Sequence, residues 1–312
     1  MTTTTAPPTQ GPQSTRDAVP LPRETAARRL SVSLTKRPRL RLALLLAAPL
    51  FWLGLVYIAA LAALLITAFW TVDSFTGEVK TEWTLDNVIT VLTGSLYQTV
   101  TIRTVGIALL VTVIDILIAL PIAFFMAKVA RPRLRYALVV AVLMPLWASY
   151  LVKAYSWRSV LSEGGIADWL LAPFGLESPG FGIPAVIMTL SYLWLPYVIL
   201  PIFAGFERVP DSLLEASSDL GAKTGRTLIH VVLPMLWPSI IAGAIFAFSL
   251  SLGDYITVNI VGGANQLLGN LVFTNVGAAN NLPLAAAISL IPIAIMAVFL
   301  LGVRRTGALN NL

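Results

Sequence analysis

The sequence predicts an all-α polytopic membrane protein with six transmembrane helices. Composition is the first observation: 57% of the 312 residues are hydrophobic, only 12% are charged, and the mean hydropathy is +0.83. Soluble domains carry about 25% charged residues. The second observation is a set of mostly apolar runs that reach the roughly 20 residues a helix needs to cross a bilayer. The runs cover residues 41–70, 99–127, 136–156, 184–206, 232–252 and 283–303.

The residues before the first run have a different composition. Residues 1–38 are rich in Thr, Pro and Arg and show no apolar periodicity, which is typical of a disordered segment. The first apolar run is too long for a signal peptide, so we expect it to remain as a membrane anchor. The chain therefore divides into a disordered cytoplasmic tail, residues 1–38, and a transmembrane domain, residues 39–312, with a polar loop at 207–231.

The Lys and Arg residues predict the orientation of the six runs. Seventeen of the 21 lie before residue 42, in the loops at 128–135 and 208–226, or after residue 303, which places them on one side of a six-helix chain. Loops that face the cytoplasm carry an excess of Lys and Arg. Both termini and the 207–231 loop are therefore predicted to be cytoplasmic, in a multi-pass protein of the inner or plasma membrane.

Several classes of function are excluded by what the sequence lacks. There is no cysteine and only one histidine, His230, so thiolate chemistry and a histidine metal cluster are excluded. We predict no catalytic residue, no metal site and no nucleic-acid partner, because the basic residues flank apolar runs rather than forming a footprint. "GAKT" at 221–224 fails as a phosphate-binding loop, since Ala222 stands where Gly is required and no strand precedes it.

The 207–231 loop contains the pattern of two short helices. Ser212 and Glu215 have the spacing of a capping box for a helix that begins near Leu213. Gly221 fits a left-handed turn at the end of that helix. A second helix is predicted from about Thr224 through His230 into the fifth run, with Pro234 at its entry. An apolar stripe is expected on the first helix at Leu213, Leu214, Ser217 and Leu220, and a separate acidic ridge at Asp211, Glu215 and Asp219.

The apolar stripe needs a surface to cover it, which could be lipid or a partner protein. The acidic ridge decides between the two. A helix that lies on a lipid surface favours Lys and Arg on its polar face, and this helix is acidic there. A protein partner is therefore the better prediction.

The loop also resembles the cytoplasmic signature of binding-protein-dependent ABC importer permeases. That signature is Glu-Ala-Ala, then Gly, then Ile-x-Leu-Pro; here it is 215-EAS-217, Gly221 and 231-VVLP-234, with Ser217 and Val231 as the departures. The segments "LWASYLVKAYSW" and "SLGDYIT" are similar to the spermidine/putrescine branch of that family. The resemblance extends over most of the chain from about residue 40.

The resemblance implies a type I ABC importer permease (MetI-like) fold and a set of partners. These are a second permease subunit in a heterodimer, two copies of an ATPase subunit that bind ATP and Mg, and an extracytoplasmic substrate-binding protein. No cofactor is expected in this chain. By resemblance the first helix of the loop enters a cleft of the ATPase, and its docking residues are Leu213, Glu215, Ala216, Asp219, Leu220, Gly221 and Pro234.

A substrate pathway is predicted from polar and aromatic residues in or beside the spans. Asp115 lies near the middle of the second run, where a charge is costly unless it is paired, protonated or faces a pathway. Asp254 follows the fifth run beside Tyr255, a pairing suited to an amine by charge and cation–π attraction. Trp194 and Tyr150 complete the set. The alternatives are a protonated Asp115 with Thr112 as its nearest polar neighbour, Asp254 as the cap of a turn, and Tyr150 in an interfacial aromatic belt.

Two other classes of protein remain open at this point. A secondary transporter would show internal repeats and several intramembrane charges, but no second copy of the loop signature occurs. An intramembrane enzyme would need a nucleophile–base or metal-ligand set, and none is visible. The cargo favoured by the resemblance is a polyamine, with phosphonates, opines and iron complexes as alternatives.

Overall fold

The computed structural model describes residues 38–73 and 76–305, so the predicted tail lies outside the described residues except for Pro38. The chain divides into two units, Met1–Leu61 and Ala62–Leu312, which we describe separately. In the first unit, helix α1 (Pro38–Phe51) continues through a π turn (Trp52–Tyr57) into α2 (Ile58–Thr67), whose last residues belong to the second unit. Leu45–Thr67 is long and apolar enough to span a membrane and corresponds to the predicted run 41–70.

The second unit is almost entirely helical, with one short hairpin. The hairpin pairs β1 (Thr71–Val72) antiparallel with β2 (Val79–Lys80). The helices are α3 (Asp86–Thr93), α4 (Ser95–Phe124), α5 (Pro132–Trp147), α6 (Tyr150–Leu161), α7 (Ile166–Leu171), α8 (Ile183–Glu207), α9 (Asp211–Asp219), α10 (Thr224–Thr227), α11 (Leu233–Leu252), α12 (Ile256–Val261), α13 (Leu268–Val276) and α14 (Leu282–Arg305).

Four of the remaining predicted spans are confirmed as single helices of membrane length. They are Ser95–Val129, Ile183–Glu207, Gly225–Leu252 and Leu282–Arg304. Two of them include π turns, Phe125–Val129 after α4 and Leu228–Val232 before α11. With Leu45–Thr67, the described chain has five such helices, or six if one bent pair counts as a span.

The predicted run 136–156 is not one continuous helix but falls within the bent pair. Helix α5 ends at Trp147, and α6 leaves it at an angle of 94° from Tyr150. Between them Ala148 and Ser149 have extended backbone, with ψ values of 142° and 139°. Pro145 has no N–H for the last turn of α5, which weakens the helix just before the break. The apolar composition continues through this break, so the sequence pattern did not reveal it.

Helix α8 is the centre of the bundle and packs between α4 and α11. Its buried residues include Leu190, Leu193, Val198, Ile202 and Phe206, which meet Val111 and Ala123 of α4 and Leu236 and Ala247 of α11 in one apolar cluster. Pro196 and Pro201 lie inside α8 without ending it. Membrane helices tolerate such prolines because neighbouring helices satisfy the freed backbone groups.

Glycines allow α8 and α11 to approach closely at two points. A methyl group on Gly243 of α11 would lie 3.1 Å from the Cα of Val198, and one on Gly205 of α8 would lie 2.7 Å from the Cβ of Ser239. Small residues at such positions are how helices pack in a bilayer, where lipid tails remove the hydrophobic drive for association. The contact between α8 and α11 therefore depends on these two residues lacking a side chain.

We predict that Gly243→Leu destabilises the bundle by about 1–3 kcal/mol, because the added side chain meets the backbone of α8. Thermal unfolding of the purified protein in detergent measures the change. Gly106→Leu, in α4, is the matched control, since a Cβ there meets nothing within 4 Å. Equal melting temperatures for the two variants would contradict the proposed close contact.

Candidate functional site

The first helix of the 207–231 loop begins earlier than its sequence pattern predicted. Helix α9 starts at Asp211, with Pro210 as its N-cap residue and no side-chain capping bond. Ser212 and Glu215 therefore lie inside the helix, and the predicted capping box is wrong. Pro210 has φ −65° and ψ 137°. Its ring fixes φ, and this extended residue sets the entry to the helix in place of a capping side chain.

The end of α9 confirms the predicted left-handed turn at Gly221. The N–H of Ala222 donates to the carbonyl of Ser217 at 3.1 Å, and that of Gly221 donates to Ser218 at 2.8 Å. These two bonds form a Schellman motif, and Gly221 at its turn has φ +78°. A residue with a side chain enters that conformation at a cost.

A side-chain hydrogen bond joins the two helices of the loop. The hydroxyls of Ser217 in α9 and Thr227 in α10 are 2.7 Å apart, and Thr227 is buried. Ser217 is one of the two residues that depart from the family signature, and its hydroxyl here makes a contact that an alanine cannot make. Beyond Thr227 the chain continues as one helix from Gly225 to Leu252, with Pro234 near the start of α11, as predicted.

The predicted apolar stripe of α9 is divided in the structure. Leu214 packs against the core and Ser217 is half-buried, whereas Leu213 is 40% and Leu220 88% exposed. Leu220 leaves the stripe because the helix has already ended at Asp219. All seven residues predicted to dock the ATPase are exposed: Leu213, Glu215, Ala216, Asp219, Leu220, Gly221 and Pro234.

A cavity of about 510 Å³ lies behind α9, between the loop and the ends of α4, α8 and α11. Its walls are apolar and include Leu120, Phe124, Phe206, Leu214 and Leu236. Helix α9 therefore rests on the bundle through Leu214 and its neighbours rather than through a fully packed interface.

Four charged residues connect the loop to the end of α4, and we call them the clamp: Lys128, Arg135, Glu207 and Asp211. The ammonium of Lys128 donates to the carbonyl of Val209 and to the carboxylate of Asp211, both at 2.7 Å. Arg135 donates to the carbonyls of Met126 and Ala127, and its guanidinium lies 3.6 Å from Glu207. The hydrogen bond from Lys128 holds the pKa of Asp211 below its usual range, which favours the carboxylate form of Asp211.

Sequence reasoning treated Lys128 and Arg135 only as indicators of orientation. No local pattern could have paired Lys128 with Asp211, because 83 positions separate them. The end of the bundle that holds the clamp and the 207–231 loop is called the basic end below, and the opposite end, with the loops at 68–86 and 162–182, the acidic end.

At the acidic end the structure brings three of the predicted pathway residues together. The hydroxyl of Tyr150 donates to the carboxylate of Asp254, and its ring stacks on that of Trp194 with centroids 5.8 Å apart. Thr257 also donates its backbone N–H to Asp254 at 2.9 Å. Asp254 thus caps the turn before α12, as the alternative interpretation proposed, and is also bound by Tyr150. Its spacing of three from Thr257 was a sequence signal for this cap.

Tyr255 and Asp115 have other surroundings. The ring of Tyr255 stacks on Phe273 with centroids 4.8 Å apart, so the aromatic partner of Asp254 is Tyr150. Asp115 is fully buried in α4, and neither carboxylate oxygen has a hydrogen-bond partner among the described residues. The hydroxyl of Thr112, its expected neighbour, donates to the carbonyl of Ala108, and the Ser191 hydroxyl of α8 lies close to Asp115.

Residues 38–73 and 76–305 contain no group of three or more His, Cys, Asp or Glu side chains that could hold a metal ion. Two features of the described structure stand out as a candidate site. Helix α9 is exposed at the basic end, and the buried cluster of Tyr150, Trp194 and Asp254 lies near the acidic end.

Comparison with known families supports a transport role. Residues 108–308 match the family described as binding-protein-dependent transport system inner membrane component. The chain is 41% identical over 290 residues to the inner membrane ABC transporter permease protein YdcU of Escherichia coli (strain K12), covering 88% of this chain and 92% of that one. It is 33% identical to the spermidine/putrescine transport system permease protein PotB of Haemophilus influenzae, covering 73% and 81%.

The chain belongs to this family of ABC importer permeases. It is therefore a multi-pass subunit of the inner membrane and not an enzyme, as the sequence predicted. The fold agrees: a bacterial ABC transporter that imports the acidic polysaccharide alginate superposes with a TM-score of 0.63 at 18% identity, covering 89% of this permease and 98% of that chain. The same fold is seen for the alginate transporter in complex with its pentasaccharide-bound periplasmic protein, with a TM-score of 0.65 at 17% identity, covering 88% and 95%.

We expect opposite effects from the same substitution at two glycines of the permease loop. Gly221→Ala should cost about 1–2 kcal/mol, because φ is positive there although nothing lies within 4 Å of the added methyl group. Gly225→Ala should stabilise the loop by about 0.5–1 kcal/mol, since that residue is helical and equally open. Hydrogen exchange of the amides of residues 217–227 measures the stability of the loop in both variants. Slower exchange in both would contradict the left-handed turn at Gly221.

Tyr150→Phe should destabilise the permease by about 1–3 kcal/mol, because it removes the hydrogen bond from the Tyr150 hydroxyl to the buried carboxylate of Asp254. Tyr155→Phe is the matched control on the same helix, where the tyrosine is 55% exposed. Thermal unfolding in detergent compares them, and a Tyr150→Phe melting temperature equal to that of the control would rule out a stabilising bond to Asp254.

Proposed function

We propose that this permease forms half of the translocation pathway of an ATP-driven importer and that α9 is its coupling helix, the part that an ATPase subunit moves. The observation that carries the proposal is the exposure of α9. Glu215, Ala216 and Asp219 are exposed, while Leu214 on the other face packs on the bundle. A short helix fixed at its start by the clamp and at its end by the Ser217 hydroxyl can move as a rigid body.

The proposed assembly contains a second permease subunit in a heterodimer, two copies of an ATPase subunit and an extracytoplasmic binding protein. The family description, which names binding-protein-dependent transport, supports the last of these. ATP and Mg are assigned to the ATPase, and no cofactor to this chain. The lipid bilayer surrounds the helices.

The proposed orientation places the basic end and both termini in the cytoplasm. The distribution of charge supports it: Lys128, Arg135 and Arg208 stand at the basic end beside Lys223 and Arg226. At the acidic end, the loops at 68–86 and 162–182 contain four and three carboxylates, with Lys80 as the one basic residue. Lys80 is paired with Asp73 at 2.7 Å.

The proposed cargo is a polyamine such as spermidine or putrescine. Relatives named as spermidine/putrescine permeases support this choice. So does the acidic end, where Glu78, Glu82, Glu163 and Glu177 are exposed, because a surface of one sign concentrates ligands of the opposite sign. Near that end, the buried Asp254 with the rings of Tyr150 and Trp194 is suited to an amine by charge and cation–π attraction.

Uptake by the whole importer in proteoliposomes tests the proposal. The permease is reconstituted with its partner permease and ATPase, and the binding protein is added outside with labelled spermidine. We expect accumulation that requires ATP and the binding protein. Uptake driven by an ion gradient without ATP would contradict the importer mechanism, and ATP-driven uptake of a phosphonate, opine or iron complex in place of spermidine would contradict the cargo.

Glu215→Ala should lower ATP-driven uptake about tenfold, because a few residues supply most of the energy of a protein interface. Ser212→Ala, at another exposed position of α9, should leave uptake within about twofold of the unmodified permease, since most residues of an interface contribute little. Co-purification of the ATPase with each variant identifies the step that is lost. Equal uptake by both variants would remove Glu215 from the proposed docking surface.

A further inference from the structure

The link between α8 and α9 is short and leaves α9 little support of its own. Arg208, Val209 and Pro210 connect the two helices, and Val209 is buried while Pro210 is exposed. A push on α9 would therefore reach α8 only through a turn that can pivot at Pro210. At its other end, the Ser217 hydroxyl and the chain after Gly221 connect α9 to the helix that continues into α11. A connection from α9 to α4 must come from a separate contact.

The clamp supplies that connection. The side chain of Lys128 is only 13% exposed, and its ammonium reaches both the Val209 carbonyl and the Asp211 carboxylate. The side chain of Asp211 is 76% exposed, so solvent screens the ion pair, and the partly buried bond to the Val209 carbonyl is the better protected of the two. Lys128 belongs to the π turn that ends α4, so it ties α4 to the first turn of α9.

The charges of Lys128 and Asp211 also suit the dipole of α9. A cation beside the first turn of a helix opposes the helix dipole, and an anion there favours it. Lys128 is accommodated at this point because Asp211, the acidic residue in the first turn of α9, lies against it. On the other side, Arg135 binds the carbonyls of Met126 and Ala127 and holds the π turn that carries Lys128.

We propose that Lys128 is the positioning residue through which movement of α9 is transmitted to α4, the second membrane-spanning helix. The inference rests on the proposed function of α9 as the coupling helix. Helix α4 packs on α8 along the core, through residues such as Val111 and Ala123, so displacement of its end changes the arrangement of the bundle. Lys128 contacts α9 but does not lie on the exposed surface assigned to the ATPase.

Three variants test the proposal. Lys128→Met removes the ammonium and keeps most of the side-chain length, and Lys128→Arg keeps the charge. Arg133→Met is the matched control, because Arg133 is an exposed cation in the first turn of α5, five positions along the chain, with no side-chain bond among the described contacts. The chain contains no cysteine and the variants add none, so all three are compared under identical redox conditions.

The first measurement is hydrogen exchange of the amides of α9 in the full-length permease alone. Exchange should be about tenfold faster in Lys128→Met, because loss of the charge-assisted bonds releases the start of the helix. It should be unchanged in Arg133→Met. The second measurement is the ratio of solute transported to ATP hydrolysed by the reconstituted importer.

That ratio should fall about tenfold in Lys128→Met, since the ATPase still docks and turns over while its movement no longer reaches α4. Lys128→Arg should restore most of it. General destabilisation would lower transport and hydrolysis in proportion, and that result would overturn the proposal. The proposal would also be overturned if the hydrogen-exchange rates of α9 and the transport-to-hydrolysis ratio of Lys128→Met both equalled those of Arg133→Met. Absence of ATP-driven transport by the unmodified importer would instead defeat the proposed function, and the exchange measurement would then still decide whether Lys128 holds α9.

Discussion

Backbone N–H and C=O groups inside a bilayer have no water to bind, so each must find its partner within the protein. In this permease that constraint is met by long helices packed around α8, which lies between α4 and α11. The close approach at Gly205 and Gly243 lets these helices interlock, and Pro196 and Pro201 are accommodated within α8. Both ends of the bundle are arranged around the termini of these three helices.

The two ends use the same kind of interaction for different purposes. At the basic end, Lys128 and Arg135 satisfy carbonyl groups where α4 stops and where α9 begins. Helix termini always leave such groups unpaired, and here the cations that pair them also join separate elements. At the acidic end, Asp254 accepts bonds from Tyr150 and Thr257 and so fixes the turn between α11 and α12 against α6.

Membrane spans and the position of the 207–231 loop were predictable, because they depend on composition and on local spacing. Leu45–Thr67, Ser95–Val129, Ile183–Glu207, Gly225–Leu252 and Leu282–Arg304 correspond to five of the predicted runs. The capping box at Ser212 was wrong, because Pro210 precedes the first turn of α9 and no side chain caps it. The third run, 136–156, is a bent pair of helices, and hydropathy is insensitive to where a helix bends.

The sequence by itself determined the membrane class, the turn at Gly221 and the family, since each depends on residues close together in the chain. Only the tertiary structure paired Lys128 with Asp211, Tyr150 with Asp254 and Ser217 with Thr227. It also brought Ser191 of α8 close to Asp115 of α4. These contacts join different helices, and which faces meet is decided by the packing of α4, α8 and α11, whose apolar surfaces are too uniform to specify a partner from sequence alone.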